Sequence, residues 1–297
     1  MGKLIIHIGM HKTGTTSIQT SLDKYSEMLN NDYGYFVLSR ENNIPKVKEW
    51  LYPEWHNKES NFEFKYYTFK QIIETSHGKK NIIYSEENFS DEVSRLKQCE
   101  RINKLIEFIS IFPMEEVEVH IFFREQVELI NSIYKQRLRH RFYLYDDIVN
   151  FVNLDREDFK KALDWEEYYN LLNDNLKFIR NKKVNLFPHV YSIAKEHDNG
   201  LVGYFYQNII SVDIVPDNFF ENSSMSNSKN LALEAISKIK NKGVSIENIG
   251  WFKKAILDSD CNEKDYIEFG LSCDLKKKIE ILYKDKNVDF LNRFGVK

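Results

Sequence analysis

The sequence predicts an α/β fold with a central, largely parallel β-sheet flanked by helices on both faces. Short apolar runs of strand character alternate along the chain with longer segments in which apolar residues recur every three or four positions. This alternation is typical of parallel sheets, whose strands are joined by helical crossovers. The sequence contains no internal repeat, low-complexity linker or clean boundary, so we expect one domain spanning residues 1–297.

The predicted elements begin with a strand that ends at Gly9. A helix over about 16–29 follows, because its apolar residues are spaced by three and four, and turn residues at 30–34 end it. Further strands are predicted at 35–38, 80–85, 117–123 and 184–187. Further helices are predicted over about 93–112, 127–138, most of 144–180 and 201–209. Helical insertions and a helical C-terminal part complete the fold, with an irregular insert at about 40–78 and the C-terminal part at about 227–297.

Charge and composition exclude several classes of function. The net charge of −3, from 42 basic and 45 acidic residues, provides no global positive field for nucleic acid or an anionic membrane. The three cysteines are unpatterned, which suits a reducing compartment. Because no signal peptide and no apolar run of about 18 residues is found, we expect a cytoplasmic protein without a transmembrane segment. The eight histidines form no convincing metal-ligand pattern, so no metal is expected.

The loop after the first strand has the composition of an anion site. Gly9 and Gly14 have the spacing of the two glycines in the phosphate-binding pattern G-x-x-x-x-G-K-[ST], and a helix begins directly afterwards. Backbone N–H groups at that helix N-terminus would face a bound phosphate. Thr15 stands where a nucleoside triphosphate loop has Lys, and the only lysine of this loop is Lys12. The loop therefore predicts a phosphate site of a different kind, with a ligand-free glycine turn as the alternative.

Polar residues follow three of the predicted strands, in the loop 9–17, at 85–88 and at Arg124. Ligands of open parallel sheets bind at the carboxyl ends of the strands, so we expect one composite site. Arg124 and Ser132, which lies about two turns into the next helix, could grip a second anion. Taken alone, an Arg followed by a Ser at this spacing more often marks a surface salt bridge. Together with the anion loop at residues 9–17, however, the pair specifically indicates a second anion site.

Two segments resemble motifs of the sulfotransferases that use 3′-phosphoadenylyl sulfate (PAPS). Residues 11–17, HKTGTTS, are similar to the 5′-phosphosulfate loop of that family. Residues 124–134 are similar to its 3′-phosphate motif, in which an Arg is followed by a Ser eight positions later. The resemblance is closest to bacterial and carbohydrate sulfotransferases and extends weakly through 163–165 and 187–189 to 222–226. It departs from the family after Arg124, where Glu125 follows and the next position lacks the Pro of many members.

The resemblance implies a P-loop-type sheet and roles for individual residues. Lys12 would contact the 5′-phosphosulfate and stabilise the leaving oxygen, whereas Arg124 and Ser132 would hold the 3′-phosphate. The implied contacts to PAPS are Lys12, Thr13, Gly14, Thr15, Thr16, Ser17, Arg124, Ser132, Asn222, Ser223 and Ser224. The product would be adenosine 3′,5′-bisphosphate, and no metal is required.

A general base must accept the proton of the acceptor hydroxyl. In the family a Glu or His near the strand end at residue 85 has this role, which favours Glu87. Glu86 is the second candidate, or could instead hold Lys12 or an acceptor hydroxyl. The two carboxylates leave the strand in opposite directions, so both are not expected to face one cleft. Both could also simply cap the next helix. His11 is a further acid/base candidate, although a loop residue at this point more often contributes only its backbone.

The acceptor would be recognised outside these motifs. Arg137, Arg139 and His140 belong to a dense basic run that could contact an acidic glycan, or could form a solvated face. Trp55 belongs to an aromatic cluster in the insert that could stack on a sugar, or could pack as a cap. Together these residues predict a glycan or glycolipid acceptor, with no nucleic acid partner.

The sequence is therefore interpreted as that of a bacterial, cytoplasmic, PAPS-dependent sulfotransferase acting on a hydroxyl group. In-line transfer would depend mainly on positioning and on charge stabilisation at the leaving oxygen. A P-loop nucleotide kinase or NTPase is the alternative enzyme, which Thr15 already disfavours. A homologue that binds a nucleotide or glycan without turnover is the third possibility. The acceptor and the oligomeric state are not determined by the sequence.

Overall fold

The computed structural model describes residues 2–10, 13–38, 70, 74, 81–89, 95–141, 151–214, 227–240, 253–259 and 270–296. Its strands are β1 (Lys3–Gly9), β2 (Tyr35–Leu38), β3 (Asn81–Ser85), β4 (Glu116–Phe123) and β5 (Lys183–Val190). The helices before β5 are α1 (Thr15–Lys24), α2 (Ser26–Tyr33), α3 (Arg95–Ile111), α4 (Gln126–Arg141), α5 (Glu157–Leu163) and α6 (Trp165–Leu176). Those after it are α7 (Tyr191–Lys195), α8 (Gly200–Tyr204), α9 (Asn227–Lys240) and α10 (Cys273–Phe294).

The five strands form one parallel sheet in the order β2-β3-β1-β4-β5. Helices cover both faces, so the predicted α/β class with a P-loop-type central sheet is confirmed. Strand β1 lies in the centre of the sheet, and all of its residues from Leu4 to Gly9 are buried. A strand buried on both faces needs apolar residues at successive positions, which explains the uninterrupted run Leu4-Ile5-Ile6.

The two faces of the sheet carry separate apolar clusters. Leu4, Ile6 and Ile8 of β1 pack into the larger cluster, together with side chains of α3, α4, α6 and α10. Ile5 packs on the opposite face against side chains of α1, α2 and α8. Because side chains alternate along a strand, His7 lies on the same face as Ile5.

The predicted helix at 16–29 is interrupted. The chain forms two consecutive helices with Tyr25 between them, and the second continues to Tyr33 through the residues predicted to be a turn. It ends where Gly34 adopts φ 71°, a left-handed conformation that glycine enters without a Cβ penalty. The polar composition of residues 30–33 therefore did not end the helix.

The chain around β5 also differs from the prediction. Strand β5 continues three residues beyond the predicted end at Phe187, and α7 begins directly after it. The helix predicted at 201–209 is α-helical only as far as Tyr204 and is a π-helix over Phe205–Ile209. Within the described residues no helix is long and apolar enough to cross a membrane. The insert at about 40–78 lies outside the described ranges, apart from residues 70 and 74.

Candidate functional site

The strand order brings the three predicted polar segments to one edge of the sheet. Strand β1 lies between β3 and β4, and the three are parallel, so their carboxyl ends are neighbours. The loop after β1 is therefore flanked by Glu86 and Glu87, which follow β3, and by Arg124, which follows β4. After β1 the chain forms β2 and β3 on one side of it, and then crosses over β1 to form β4 and β5 on the other side. Such a change of direction is where open α/β sheets bind ligands.

The described part of the loop, Thr13 and Gly14, turns tightly into α1. Thr13 donates both its backbone N–H and its hydroxyl to the carbonyl oxygen of Met10, at 3.2 and 2.7 Å. Gly14 has φ 72° and ψ 19°, and a Cβ built on it would lie 2.2 Å from Cδ2 of Leu201. Both the left-handed conformation and the close contact require glycine at this position.

Among the described residues, no side chain caps the N-terminus of α1. Gly14 is its N-cap and supplies no side-chain hydrogen bond, and the first turn contains no acidic residue. The first N–H groups of a helix have no intrahelical partner, so they remain available to a ligand. The hydroxyl of Thr15 is buried, with 2% of the residue exposed, and has no hydrogen-bond partner among the described residues.

The two carboxylates after β3 have different environments. Glu86 is fully buried, and its Oε2 accepts a hydrogen bond from the hydroxyl of Tyr84 at 3.2 Å. Glu87 is half-buried and begins a short 3₁₀ turn, Glu87–Phe89. The expectation that adjacent residues leave the strand in opposite directions fits this difference. An acceptor hydroxyl could approach Glu87, but not Glu86, without displacing core side chains.

Arg124 lies directly after β4 and is held from several sides. Its backbone carbonyl accepts a hydrogen bond from Nε1 of Trp165 at 3.1 Å. Its guanidinium forms an ion pair with Glu128, at 3.1 Å between Nη2 and Oε2, in which 17% of the arginine and 57% of the glutamate side chain are exposed. The surface salt bridge considered as the alternative is thus present. Because the glutamate is well exposed, the pair contributes little stability.

Tyr191 connects Arg124 with the loop. The guanidinium carbon of Arg124 lies 5.2 Å from the centre of the Tyr191 ring. The edge of the same ring, at Cε2, lies 3.6 Å from the position that a Cβ of Gly14 would occupy. The guanidinium and the N-terminus of α1 therefore both lie near one aromatic ring. Two candidate anion-binding groups share this neighbour, a residue that sequence reasoning did not select and no motif marked.

Ser132 lies on α4, where it is half-buried. The preceding residue, Asn131, accepts a hydrogen bond from the backbone N–H of Leu271 at 3.0 Å. The chain just before α10 therefore packs beside this turn of α4. Glu125, the residue that departs from the family motif, accepts a hydrogen bond from the hydroxyl of Ser192 and so links the ends of β4 and β5.

Three histidines, His7 and His120 buried and His189 half-buried, lie behind the site. His7 and His120 are paired in the register of β1 and β4, and Nδ1 of His120 lies 3.0 Å from Nε2 of His189. Burial lowers the pKa of His7 to about 3, and repulsion from His120 contributes; burial also lowers the pKa values of His120 and His189. All three rings are therefore neutral near pH 7. The sequence offered one indication of this group, since His7 and His120 each stand inside an apolar run that predicts a buried strand.

Several predicted site residues lie outside the described ranges. These are His11, Lys12, Trp55, Asn222, Ser223 and Ser224. Arg137, Arg139 and His140 belong to α4, but the structure describes only their backbone. Among the side chains it does describe, no group of three or more His, Cys, Asp or Glu residues is arranged to hold a metal ion.

Comparisons with known proteins add little to this geometry. No family model matches the sequence, and no curated protein matches it. One similar solved structure is a sulfotransferase from Alicyclobacillus acidocaldarius, with 13% sequence identity and a TM-score of 0.39. The match covers 83% of this chain and 98% of the other. A similarity of this size carries no weight, so the fold class rests on the sheet itself.

Proposed function

We propose that this protein is a PAPS-dependent sulfotransferase that transfers a sulfuryl group to a hydroxyl of a glycan or glycolipid. The observation that carries the proposal is the spacing of two anion-binding groups. The uncapped N-terminus of α1 and the guanidinium of Arg124 both lie near the Tyr191 ring. A nucleotide with a 5′-phosphosulfate and a separate 3′-phosphate requires two such groups at a fixed separation.

The described residues fit such a donor. The backbone N–H groups of Thr15 to Ser17 and the unpartnered hydroxyl of Thr15 would bind the 5′-phosphosulfate. Arg124 and Ser132 would bind the 3′-phosphate, with the guanidinium fork matching two of its oxygens. From the sequence motif, Lys12 would contact the bridging oxygen, and Asn222, Ser223 and Ser224 would add nucleotide contacts. Thr15 in place of Lys disfavours the grip on β- and γ-phosphates that an ATP site requires.

When bound, the donor would supply the sulfuryl group and a phosphate leaving group. The carboxylate of Glu87 would take the proton of the acceptor hydroxyl as its oxygen bonds to sulfur and the bond from sulfur to the phosphate oxygen breaks. Lys12 and the N-terminus of α1 would stabilise negative charge on the departing oxygen. Arg137, Arg139, His140 and Trp55 are proposed to contact the acceptor, in a cytoplasmic, bacterial enzyme.

Binding tests the nucleotide class. Adenosine 3′,5′-bisphosphate at saturation should raise the melting temperature, because a ligand that binds only the native state stabilises it. ATP with Mg²⁺ is the comparison ligand. A clear shift from ATP–Mg²⁺ and none from adenosine 3′,5′-bisphosphate would contradict the proposal and favour a kinase or NTPase.

Transfer of label from PAPS to polysaccharide fractions tests the chemistry. Glu87→Gln and Lys12→Ala should each lower the rate at saturating donor by about 100-fold or more, because a general base and charge stabilisation each contribute on that scale. Glu166→Gln and Lys177→Ala are matched controls, since both residues belong to exposed ion pairs on α6 and the turn after it. Full transfer by both site variants would show that these assignments are wrong. Nucleotide binding without transfer by the parent protein would favour a non-catalytic role.

A further inference from the structure

His7 lies two residues before Gly9 on β1, directly behind the anion loop. It is fully buried, and its Nδ1 lies 2.8 Å from the hydroxyl oxygen of Ser85. Its other ring nitrogen, Nε2, is buried and has no hydrogen-bond partner among the described residues, and the same is true of the hydroxyl of Thr15. A buried polar atom without a partner is costly, so two of them in one place require an explanation.

Both unpartnered atoms border the same small space. A Cβ built on Gly9 would lie 2.4 Å from Oγ1 of Thr15, 2.4 Å from Oγ1 of Thr13 and 3.6 Å from Nε2 of His7. The Thr13 hydroxyl already donates to the carbonyl oxygen of Met10, so the two atoms beside this space that lack a partner among the described residues are Oγ1 of Thr15 and Nε2 of His7. A side chain at position 9 would separate the two groups.

We propose that His7 is a positioning residue that holds the Thr15 hydroxyl as a hydrogen-bond donor to the bound anion. The inference rests on the proposed function, since it assigns a role within the same anion site. In the structure Nε2 of His7 and Oγ1 of Thr15 do not hydrogen-bond to each other. With the anion bound, the hydroxyl of Ser85 would donate to Nδ1 of His7, the Nε2–H of His7 would donate to Oγ1 of Thr15, and the hydroxyl of Thr15 would donate to the anion.

Electrostatics select this direction of the hydrogen-bond chain. In the reverse direction Thr15 would donate to Nε2, and its oxygen lone pairs would face the anion and repel it. Burial holds the pKa of His7 at about 3, so near neutral pH the ring carries one proton and acts in either direction as a tautomer. Anion binding therefore favours the Nε2–H tautomer.

The same histidine connects the loop with the turn that carries the proposed base. The backbone N–H of Glu86 donates to the carbonyl oxygen of His7 at 2.9 Å. On the same strand end, Nε2 of Gln19 donates to the carbonyl oxygen of Ser85 at 2.8 Å. These hydrogen bonds join β1 and α1 to the end of β3, from which Glu87 follows.

Nitrogen-15 NMR of the imidazole rings reads the tautomer directly. Inorganic pyrophosphate and adenosine 3′,5′-bisphosphate are the two probes, and isothermal calorimetry establishes saturation for each. We expect the Nε2–H tautomer of His7 in the bound state, with the Nε2 proton moving downfield as the site fills. An Nδ1–H tautomer at saturation, or His7 signals that do not respond to a bound probe, would overturn the inference.

Substitutions separate positioning from packing. His7→Leu should weaken pyrophosphate binding about tenfold, the scale of one hydrogen bond to a charged group, and His7→Gln should restore most of it because its amide N–H replaces Nε2–H. His120→Leu and His120→Gln are matched controls, since His120 pairs with His7 in the sheet register and is also buried, with 5% of the residue exposed against 0%. The controls should lose stability but keep affinity within about twofold. Equal losses of affinity at both positions, or no rescue by Gln, would contradict the positioning role.

If His7→Leu does not fold, Thr15→Val provides the second test, because it keeps the branched shape and removes the hydroxyl. It should abolish the response of His7 Nε2 to pyrophosphate, and an unchanged response would overturn the inference.

The two probes also distinguish the two proposals. Pyrophosphate binding with the His7 response, but no binding of adenosine 3′,5′-bisphosphate, would leave this inference standing and contradict the proposed nucleotide. If both probes bind but the His7 signals do not respond, only the positioning role of His7 is contradicted. If neither probe binds, both the proposed function and the positioning role are contradicted.

Discussion

Arg124 illustrates how one residue can be both structural and available to a ligand. Its ion-pair partner, Glu128, is 57% exposed, and such pairs are worth about 0.2–1 kcal/mol. A phosphate that binds the guanidinium must displace this carboxylate. Glu128→Ala should therefore strengthen binding of adenosine 3′,5′-bisphosphate by about two- to fivefold at low salt, which isothermal calorimetry would measure.

The matched control for Glu128→Ala is Asp158→Ala. Asp158 pairs with Arg156 on the surface, with side-chain exposures of 40% and 63%, so its removal also breaks an exposed arginine–carboxylate pair. Affinity for the nucleotide should not change in this variant. Unchanged or weaker binding by Glu128→Ala would mean that Arg124 is not a ligand for the 3′-phosphate.

At the scale of elements, the junction between β1 and α1 depends on Gly14. Gly14→Ala would place a Cβ 2.2 Å from Leu201 in a left-handed conformation, and strain together with overpacking should cost about 2–4 kcal/mol. The same shift would misdirect the first N–H groups of α1 and weaken anion binding. Urea unfolding curves and pyrophosphate titrations would measure the two effects.

Gly34→Ala separates strain from packing in that experiment. Gly34 has nearly the same φ as Gly14, 71° against 72°, but a Cβ there meets nothing within 4 Å. Only the conformational cost of about 1–2 kcal/mol should remain, with no change in anion affinity. Leu201→Ala should recover part of the stability lost by Gly14→Ala. Equal losses at the two glycines would show that the contact with Leu201 is unimportant.

For the whole molecule, the three histidines behind the sheet edge predict acid sensitivity. Their pKa values are lowered from 6.5, so between the lowered values and 6.5 the unfolded chain binds more protons than the native one. The stabilising contribution of these neutral rings is complete above pH 6.5 and is lost as the pH falls. Each histidine should lower the free energy of unfolding by up to about 1.4 kcal/mol for each pH unit of acidification. Urea unfolding between pH 8 and 5 checks the slope.

The neighbouring charged groups do not reverse that expectation. Glu118 lies 3.6 Å from His120 and pairs with Lys3, and these contacts hold its pKa below the usual value. Its stabilisation is likewise lost towards acid, but at lower pH than that of the histidines. His120→Gln should reduce the slope below pH 6.5. Stability that stays constant from pH 7 to 5 would contradict neutral, buried histidines.

The class of fold and the composition of the strand ends follow from the amino-acid sequence alone. Uninterrupted apolar runs mark strands that are buried on both faces, and Gly9, Gly14, Glu87 and Arg124 could be assigned to strand ends because each lies beside such a run. These are local properties of the chain. The helix that continues to Tyr33 was missed because the turn preference of Asn30 to Asp32 predicted an earlier end, whereas the left-handed C-cap is Gly34.

Long-range packing determines which strand ends are neighbours and which side chains lie beside the loop. The position of β1 between β3 and β4, the burial of Glu86, and the placement of Tyr191 near both Gly14 and Arg124 depend on contacts between residues far apart in the sequence. The unpartnered Nε2 of His7 could not be predicted from the sequence either. The hydrogen-bond partners of an imidazole in an apolar strand, such as Ser85 for Nδ1 of His7, depend on which strands lie beside it. Local patterns encode the type of each element, whereas strand order and burial arise from packing of the whole chain.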